Sequence, residues 1–281
     1  MTIFWLCLAA ALIGVVEGIT EWLPISSTGH MILLDEILRM KDHVGEEFYQ
    51  FFLVAIQLGA ILAVVVLYFH KLNPFSPKKS TTEKKQTWRL WLCVLIGILP
   101  AAVIGIPLDD FLEEHLYGFP VVAIALVVYG VAFIVIERMK KGKNYRIESV
   151  YDITFKDALL IGCFQALSLI PGTSRSGSTI LGGMLLGVSR TASAEFSFFM
   201  ALPVMAGASL IRGFKFIRSG ATMTGTEVLI LLIGAAVAFL VSYVAIRFLM
   251  SFVKRHSFES FGWYRIALGV LVLGFAIASW V

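Results

Sequence analysis

Two polar stretches carry the side chains that could do chemistry. The first is Glu17-Gly-Ile-Thr-Glu21-Trp-Leu-Pro24-Ile-Ser26-Ser27-Thr28-Gly29-His30. Glu17 and Glu21 are four apart, so on a helix they share a face. Two carboxylates held close can bind a divalent cation, or one can keep a proton and serve as general acid or base. The alternative is a pair of helix-end glutamates reaching for water. His30 titrates near neutrality and could move a proton, or could be a satisfied structural histidine. Ser26 and Ser27 could be helix N-caps, and either could be a nucleophile with a base in reach.

The second stretch is Pro171-Gly172-Thr173-Ser174-Arg175-Ser176-Gly177-Ser178-Thr179. It has no acid. It offers one guanidinium, five hydroxyls, and glycines that let backbone approach a ligand. It opens a helix, whose free N–H groups favour anions. Arg presents a planar donor fork that suits phosphate oxygens. The stretch reads as an anion cradle, most naturally for phosphate. It is not a Walker A loop, because GxxxxGK[ST] is absent. The plainer alternative is that Arg175 pairs with Glu17 or Glu21.

Polar residues of this kind are costly in the rest of this chain. Of 281 residues 58% are hydrophobic and 15% charged, and the mean hydropathy is +0.86. A soluble domain carries about 25% charged residues, so the composition predicts a multi-span helical membrane protein and excludes a soluble fold. Ionisable groups inside such a chain mark a functional site by default. The net charge of +4 matters less than where Lys and Arg sit. Cys7, Cys93 and Cys163 lie in apolar runs and read as small core residues. The N-terminus does not read as a signal peptide, since no Lys or Arg precedes the apolar run.

The elements that must position the two stretches follow from the apolar runs. Ile3 to Val16 reaches about 21 Å, against about 30 Å of hydrocarbon. It is expected to be too short to span and to form, with Met31 to Leu38, a re-entrant hairpin. Phe51 to Phe69, Leu90 to Leu108 (bent at Pro100) and Phe119 to Ile136 are expected spans. After a basic linker, Ala158 to Ile170 and Ile180 to Val188 form a second short pair. Phe196 to Ile211, Val228 to Ile246 and Trp263 to Val281 complete the chain. Phe196 to Ile211 needs flanking residues to cross.

The halves, about 1–140 and about 150–281 of a single membrane domain, match at a shift of 148 positions. Gly14 meets Gly162, Glu17 meets Gln165, Ser26 meets Ser174, Ser27 meets Arg175, Gly29 meets Gly177, and Glu47-Phe48 meets Glu195-Phe196. Three spans per half is an odd number, so the second half enters the membrane inverted. With the basic linkers 70–89 and 138–156 in the cytoplasm, the acidic loop 107–118 (Asp109, Asp110, Glu113, Glu114) and both termini fall outside. Loop 212–226, with Arg212, Lys215 and Arg218, is the discordant one. Inverted repeats with interrupted helices place a site near the midplane, where the hairpin tips meet. The fold class is thus an all-α integral membrane protein of two inverted-topology repeats, each one re-entrant hairpin plus three transmembrane helices. One tip supplies acid–base groups and the other anion binding, a division that suits a phosphatase better than a symmetric carrier.

Both motifs closely resemble those of the undecaprenyl-diphosphate phosphatases of the bacitracin-resistance type, and the resemblance covers essentially the whole chain. It implies a multi-pass protein of the bacterial plasma membrane. The implied activity is hydrolysis of undecaprenyl diphosphate to undecaprenyl phosphate and inorganic phosphate. This recycles the carrier for peptidoglycan and other wall polymers and protects against bacitracin. By motif it implies Glu17, Glu21, Ser27, His30 and Arg175 as catalytic. Ser26, Thr28, Gly172, Thr173, Ser174, Ser176 and Thr179 join Arg175 on the diphosphate. It also implies a divalent cation, Mg²⁺ or Ca²⁺, which Glu17 and Glu21 would hold, and no organic cofactor. Expected partners are a polyprenyl diphosphate lipid, the bilayer and a second copy in a homodimer, with no nucleic acid. The prenyl tail is expected to leave sideways between spans, along a groove lined by Phe. The competing reading is an inverted-repeat transporter or flippase for a lipid phosphate.

Overall fold

A computed structural model describes residues 2–116 and 118–280; the side chains of Asp109, Asp110, Glu113 and residues 278–280 lie outside the described ones. The first half holds α1 (Ile3–Thr20), α2 (Ser27–Leu38), α3 (Lys41–Val44), α4 (Glu46–Leu67), α5 (Phe69–Leu72), α6 (Thr81–Leu116) and α7 (Phe119–Lys140). The second holds α8 (Phe155–Ala166), α9 (Arg175–Leu185), α10 (Arg190–Arg218), α11 (Gly225–Val253) and α12 (Glu259–Trp280). Between the described helices there is one isolated bridge, Ile147 to Val188.

Among the described residues, seven helices are long and apolar enough to cross a membrane: α1, α4, α6, α7, α10, α11 and α12. The sequence counted six. The seventh is α1, which runs past Val16 through Glu17 to Thr20, because Glu17 is buried against protein within the helix. At 18 residues it is about 27 Å long. Its counterpart α8 has 12 residues and does not qualify. The helix α10 extends beyond Phe196 to Ile211 at both ends, as a full span requires. Lys215 and Arg218 occupy its last turn, where cations oppose the negative end of the helix; this gives the discordant loop a local reason for its charge. The expected acidic loop 107–118 is a correction: the helix α6 continues through Pro100 and Pro107 to Leu116.

Hydropathy is explained by the outer faces. On α6, Leu92, Leu95, Leu99 and Val103 are exposed at helical spacing, a stripe that suits hydrocarbon. Cys163 is exposed too, whereas Cys93 is buried and Cys7 lies between, so only Cys93 is a core residue.

Packing repeats across the halves. The helix α1 lies along α11, and α8 lies along α6; α4 pairs with α10 and α7 with α12. The matched glycines explain the close approach. A Cβ on Gly14 would sit 2.6 Å from the Gly234 carbonyl, and one on Gly162 would overlap that of Gly97. Small residues let backbones meet where no aqueous hydrophobic effect drives helices together. The main core buries Trp22, Leu23 and Ile25 from the turn after α1 among Ile180, Leu181, Phe196, Phe198 and Phe199 of the second half. The first tip is thus embedded in the second repeat.

Candidate active site

The two polar turns have the same local build. Ser26 and Ser174 each cap a helix at φ 74°. Ser26 Oγ accepts from the Gly29 N–H at 3.3 Å, and Ser174 Oγ from the Gly177 N–H at 3.1 Å. With Arg39, they are the non-glycine residues of positive φ among those described. Such backbone costs of order 1–3 kcal/mol and collects at functional sites. The capping role therefore falls to Ser26, which is buried, and Ser27 is left in the first turn of α2 with its hydroxyl free to point elsewhere.

That hydroxyl donates to Glu21 Oε2 at 3.2 Å. The other oxygen of the same carboxylate receives Arg175 Nη2 at 2.9 Å and Nε at 3.3 Å. Nucleophile candidate, carboxylate and guanidinium therefore form one chain of contacts across the two halves. Arg175 is held further by Ser197 of α10, whose carbonyl accepts Nη1 at 2.7 Å, and it lies over the Trp22 ring, 5.9 Å from its centre. Thr179 donates to the Ser197 hydroxyl at 2.7 Å. Ser176 Oγ reaches the Leu23 carbonyl at 3.3 Å and stands 3.2 Å from Ser174 Oγ.

Gly172 has a φ of 91°, and a Cβ there would meet the Val122 carbonyl at 2.6 Å; only glycine fits between this turn and α7. Thr173 is buried and gives its carbonyl to Arg265, while Thr28 stays partly exposed in the first turn of α2. His30 lies one turn into α2, with Nδ1 2.7 Å from the Ser26 carbonyl. Glu17 is buried one turn before Glu21, with Gln57 beside it and Oε1 without a partner. The structure thus brings Glu21, Ser27, Arg175, Ser176 and Thr179 into one network. Glu17 lies one turn before Glu21, and His30 one turn after Ser26 with Tyr264 as its side-chain partner.

A metal needs more donors than protein carboxylates alone supply here. No group of three or more His, Cys, Asp or Glu stands together among the described residues. The orphaned Glu17 oxygen and the neighbouring Glu21 are hard oxygen ligands, and Mg²⁺ is commonly held by one or two carboxylates with substrate phosphates and water completing its shell. That donor set fits a substrate-borne cation.

Three contributors lay outside the two motifs: Ser197, Tyr264 and Arg265. Arg265 is fully buried in α12. Its Nη1 donates to the Pro24 carbonyl at 3.2 Å, and its Nη2 to those of Gly172 and Thr173, each at 2.9 Å. It ties the two turns together. The signal was there, a charge inside an apolar span. Ser197 had none, since serine is common in membrane helices.

On the opposite face of α1 from Glu17 and Glu21 runs a largely aliphatic groove of about 630 Å³, between Val15, Ile19 and Leu23 and Leu240, Val244 and Phe248. Only one Phe lines it, so the expected Phe-lined lane is not what this groove presents.

Comparison with known proteins agrees along the whole length. The family described as "Bacitracin resistance protein BacA" matches residues 10–271. A protein named undecaprenyl-diphosphatase from Limosilactobacillus fermentum is 55% identical over 268 residues, covering 95% of this chain and 96% of that protein. One from Enterococcus faecalis is 54% identical over 270 residues, covering 96% and 97%. One from Streptococcus mutans is 51% identical over 275 residues, covering 98% of each. With a family match over residues 10–271 and relatives more than 50% identical over nearly the full length, this chain belongs to the bacitracin resistance protein BacA family.

Proposed function

We propose that this chain hydrolyses undecaprenyl diphosphate to undecaprenyl phosphate and inorganic phosphate in a bacterial plasma membrane, recycling the carrier lipid for cell-wall polymers. The observation that carries the chemistry is the shared carboxylate. Glu21 accepts from Ser27 on one oxygen and from Arg175 on the other.

A diphosphate entering between the turns competes with Glu21 for the Arg175 fork. Phosphate carries more charge and matches the fork as well as carboxylate does. Arg175 and the N-terminus of α9 then stabilise charge on the transferring group. Glu21, released from its ion pair, is left holding the Ser27 proton. Ser27 Oγ bonds to the terminal phosphorus, the bond to the bridging oxygen breaks, and the prenyl phosphate leaves. Glu21 keeps the proton. Water then attacks the phosphoserine, Ser27 Oγ recovers the proton from Glu21, and phosphate departs. This assigns the first proton to Glu21 rather than His30, because the Ser27 hydroxyl is directed at the carboxylate. Ser26, Thr28, Thr173, Ser174, Ser176 and Thr179 belong to the same two turns, and in this reading their hydroxyls turn to the diphosphate when it binds. A divalent cation held by Glu17 and Glu21 would neutralise diphosphate charge.

Two inverted repeats and re-entrant turns are part of the same reading. They are supported by the 148-residue shift, the identical caps at Ser26 and Ser174, and the matched packing of α1 on α11 and α8 on α6. In this reading α1, though long enough to cross, turns back through α2; with the basic linkers 70–89 and 138–156 in the cytoplasm, both termini then lie outside and the first turn opens toward that side. The groove beside Leu23 offers the prenyl tail an apolar path. It lies on the face of α1 turned from Glu17 and Glu21, so the tail must bend round the turn.

The test is phosphate release from undecaprenyl diphosphate by purified protein in detergent, beside Arg175→Ala, with and without chelator. Release lost in the variant supports the cradle, and chelator sensitivity supports the cation. No release from folded wild type that still binds the lipid favours transport of a lipid phosphate instead.

A further inference from the structure

His30 is anchored at both ring nitrogens, and one anchor comes from the far end of the chain. Nδ1 lies 2.7 Å from the Ser26 carbonyl. Nε2 lies 2.7 Å from the hydroxyl of Tyr264 on α12. A carbonyl oxygen can only accept, so Nδ1 carries the hydrogen and Nε2 presents a lone pair. The Tyr264 hydroxyl is then the donor into that lone pair. The two rings lie 9° from parallel with centres 5.7 Å apart, so the phenol restrains the imidazole in plane as well as in tautomer. His30 is half-buried, while Tyr264 is 47% exposed. The basic nitrogen therefore faces the more exposed Tyr264, and the protonated one faces the backbone of the turn.

This arrangement separates two bases. Glu21 already holds the Ser27 hydroxyl, and His30 Nε2 is directed elsewhere. One proton acceptor is set against the nucleophile and the other toward entering water. Resting on the two-step phosphatase reading above, we propose that Tyr264 is a positioning residue for water activation. It fixes His30 as the Nδ1–H tautomer with Nε2 as the acceptor, and it helps to seat the attacking water.

In the second half-reaction the water takes the place of the hydroxyl as donor to Nε2, and its other hydrogen bonds to the Tyr264 oxygen. The water oxygen bonds to phosphorus as the bond to Ser27 Oγ breaks. One water proton passes to Nε2, and Ser27 Oγ takes back the proton from Glu21. The imidazolium then returns its proton to bulk water, and Tyr264 donates to Nε2 again. Tyr264 keeps its own proton throughout. Its hydroxyl acts by orientation, which is why a half-exposed residue can matter.

The experiment is a double-mutant cycle in detergent with undecaprenyl diphosphate: wild type, Tyr264→Phe, His30→Gln and the pair, each with a thermal midpoint. Phe keeps the ring and removes only the hydroxyl. Tyr264→Phe is expected to lower kcat about 10-fold with KM within twofold, a part of the range open to a positioned general base. His30→Gln loses more, and the double variant falls no further than His30→Gln alone, because both changes remove one function. Nitrogen-15 spectra of histidine-labelled protein, with His30 assigned by its absence in His30→Gln, give a second readout. Tyr264→Phe should shift the Nε2 resonance and leave Nδ1 protonated. Wild-type kcat in Tyr264→Phe, or losses that multiply in the double variant, overturns the proposal while the phosphatase stands. A wild type that releases no phosphate overturns the phosphatase reading and this proposal with it.

Discussion

At the scale of the residue, Arg175 makes its contacts through a fork. Nε and Nη2 share one Glu21 oxygen while Nη1 serves Ser197. A lysine offers a point charge in place of that geometry. Arg175→Lys should therefore resemble Arg175→Ala, each losing about 10²-fold or more in kcat/KM, the scale set by removing a preorganised donor to a developing anion. Steady-state phosphate release checks this, and near-normal activity in Arg175→Lys would reduce Arg175 to a charge. Ser27→Ala removes the donor to Glu21 without disturbing the cap at Ser26. Near-complete loss of turnover is expected with substrate binding kept. Turnover close to wild type would replace the covalent step by direct attack of water. Both positions lie inside motifs that were legible in the sequence, but the motifs left the capping and nucleophilic roles of Ser26 and Ser27 interchangeable. Backbone geometry separates them, because the cap needs the positive-φ residue.

At the scale of the element, α12 reaches both turns, and Arg265 is the link. Three backbone carbonyls, one on the first turn and two on the second, depend on one guanidinium, and an unsatisfied buried acceptor costs about 1–3 kcal/mol. Arg265→Met should lower the thermal midpoint in detergent by several degrees and reduce activity, whereas a nearby lipid-facing change such as Val270→Ala should do neither. An unchanged midpoint in Arg265→Met would show that the turns hold each other without it. A second fastening lies at the start of α8. Burial pushes the Asp157 carboxyl up, but hydrogen bonds from Arg146 and Thr154 outweigh it and hold the group below the usual carboxylate range. A depressed folded-state pKa contributes stability above the unfolded value and loses it as pH falls. Asp157→Asn should thus be less stable than wild type at neutral pH, with the gap closing on acidification. Thermal midpoints from neutral to acid pH check it, and a constant gap would assign the loss to the cap alone.

At the scale of the whole molecule, the proposed inverted arrangement would put the linker near Gly142 and the loop near Gly220 on opposite faces of the membrane. With Cys7, Cys93 and Cys163 replaced, Gly220→Cys should react with an impermeant thiol reagent on intact cells, and Gly142→Cys only after the membrane is opened. Equal labelling of both in intact cells would sink the proposed topology. The same reading explains how a chain so apolar tolerates Glu17, Glu21 and Arg175: each half buries the other's polar turn, so the charges pair inside protein and never meet lipid.

Hydropathy, charge and long contiguous motifs are local properties of the chain, so the class, the polar turns and the family were legible before any fold was known. Element ends were less legible. The helix α1 outran its apolar run because Glu17 finds its surroundings in protein, and α6 outran Leu108 because acidic residues at a membrane edge are compatible with helix. Which side chains meet depends on how the helices pack. Glu21 rather than Glu17 takes Arg175, since Glu21 sits at the end of α1 nearest the second turn and Glu17 lies a turn deeper beside Gln57. Ser197, Tyr264 and Arg265 join the site from helices that their own sequence marks only as spans. Pairings between residues 22 to 241 positions apart depend on how helices pack, and no local pattern records that.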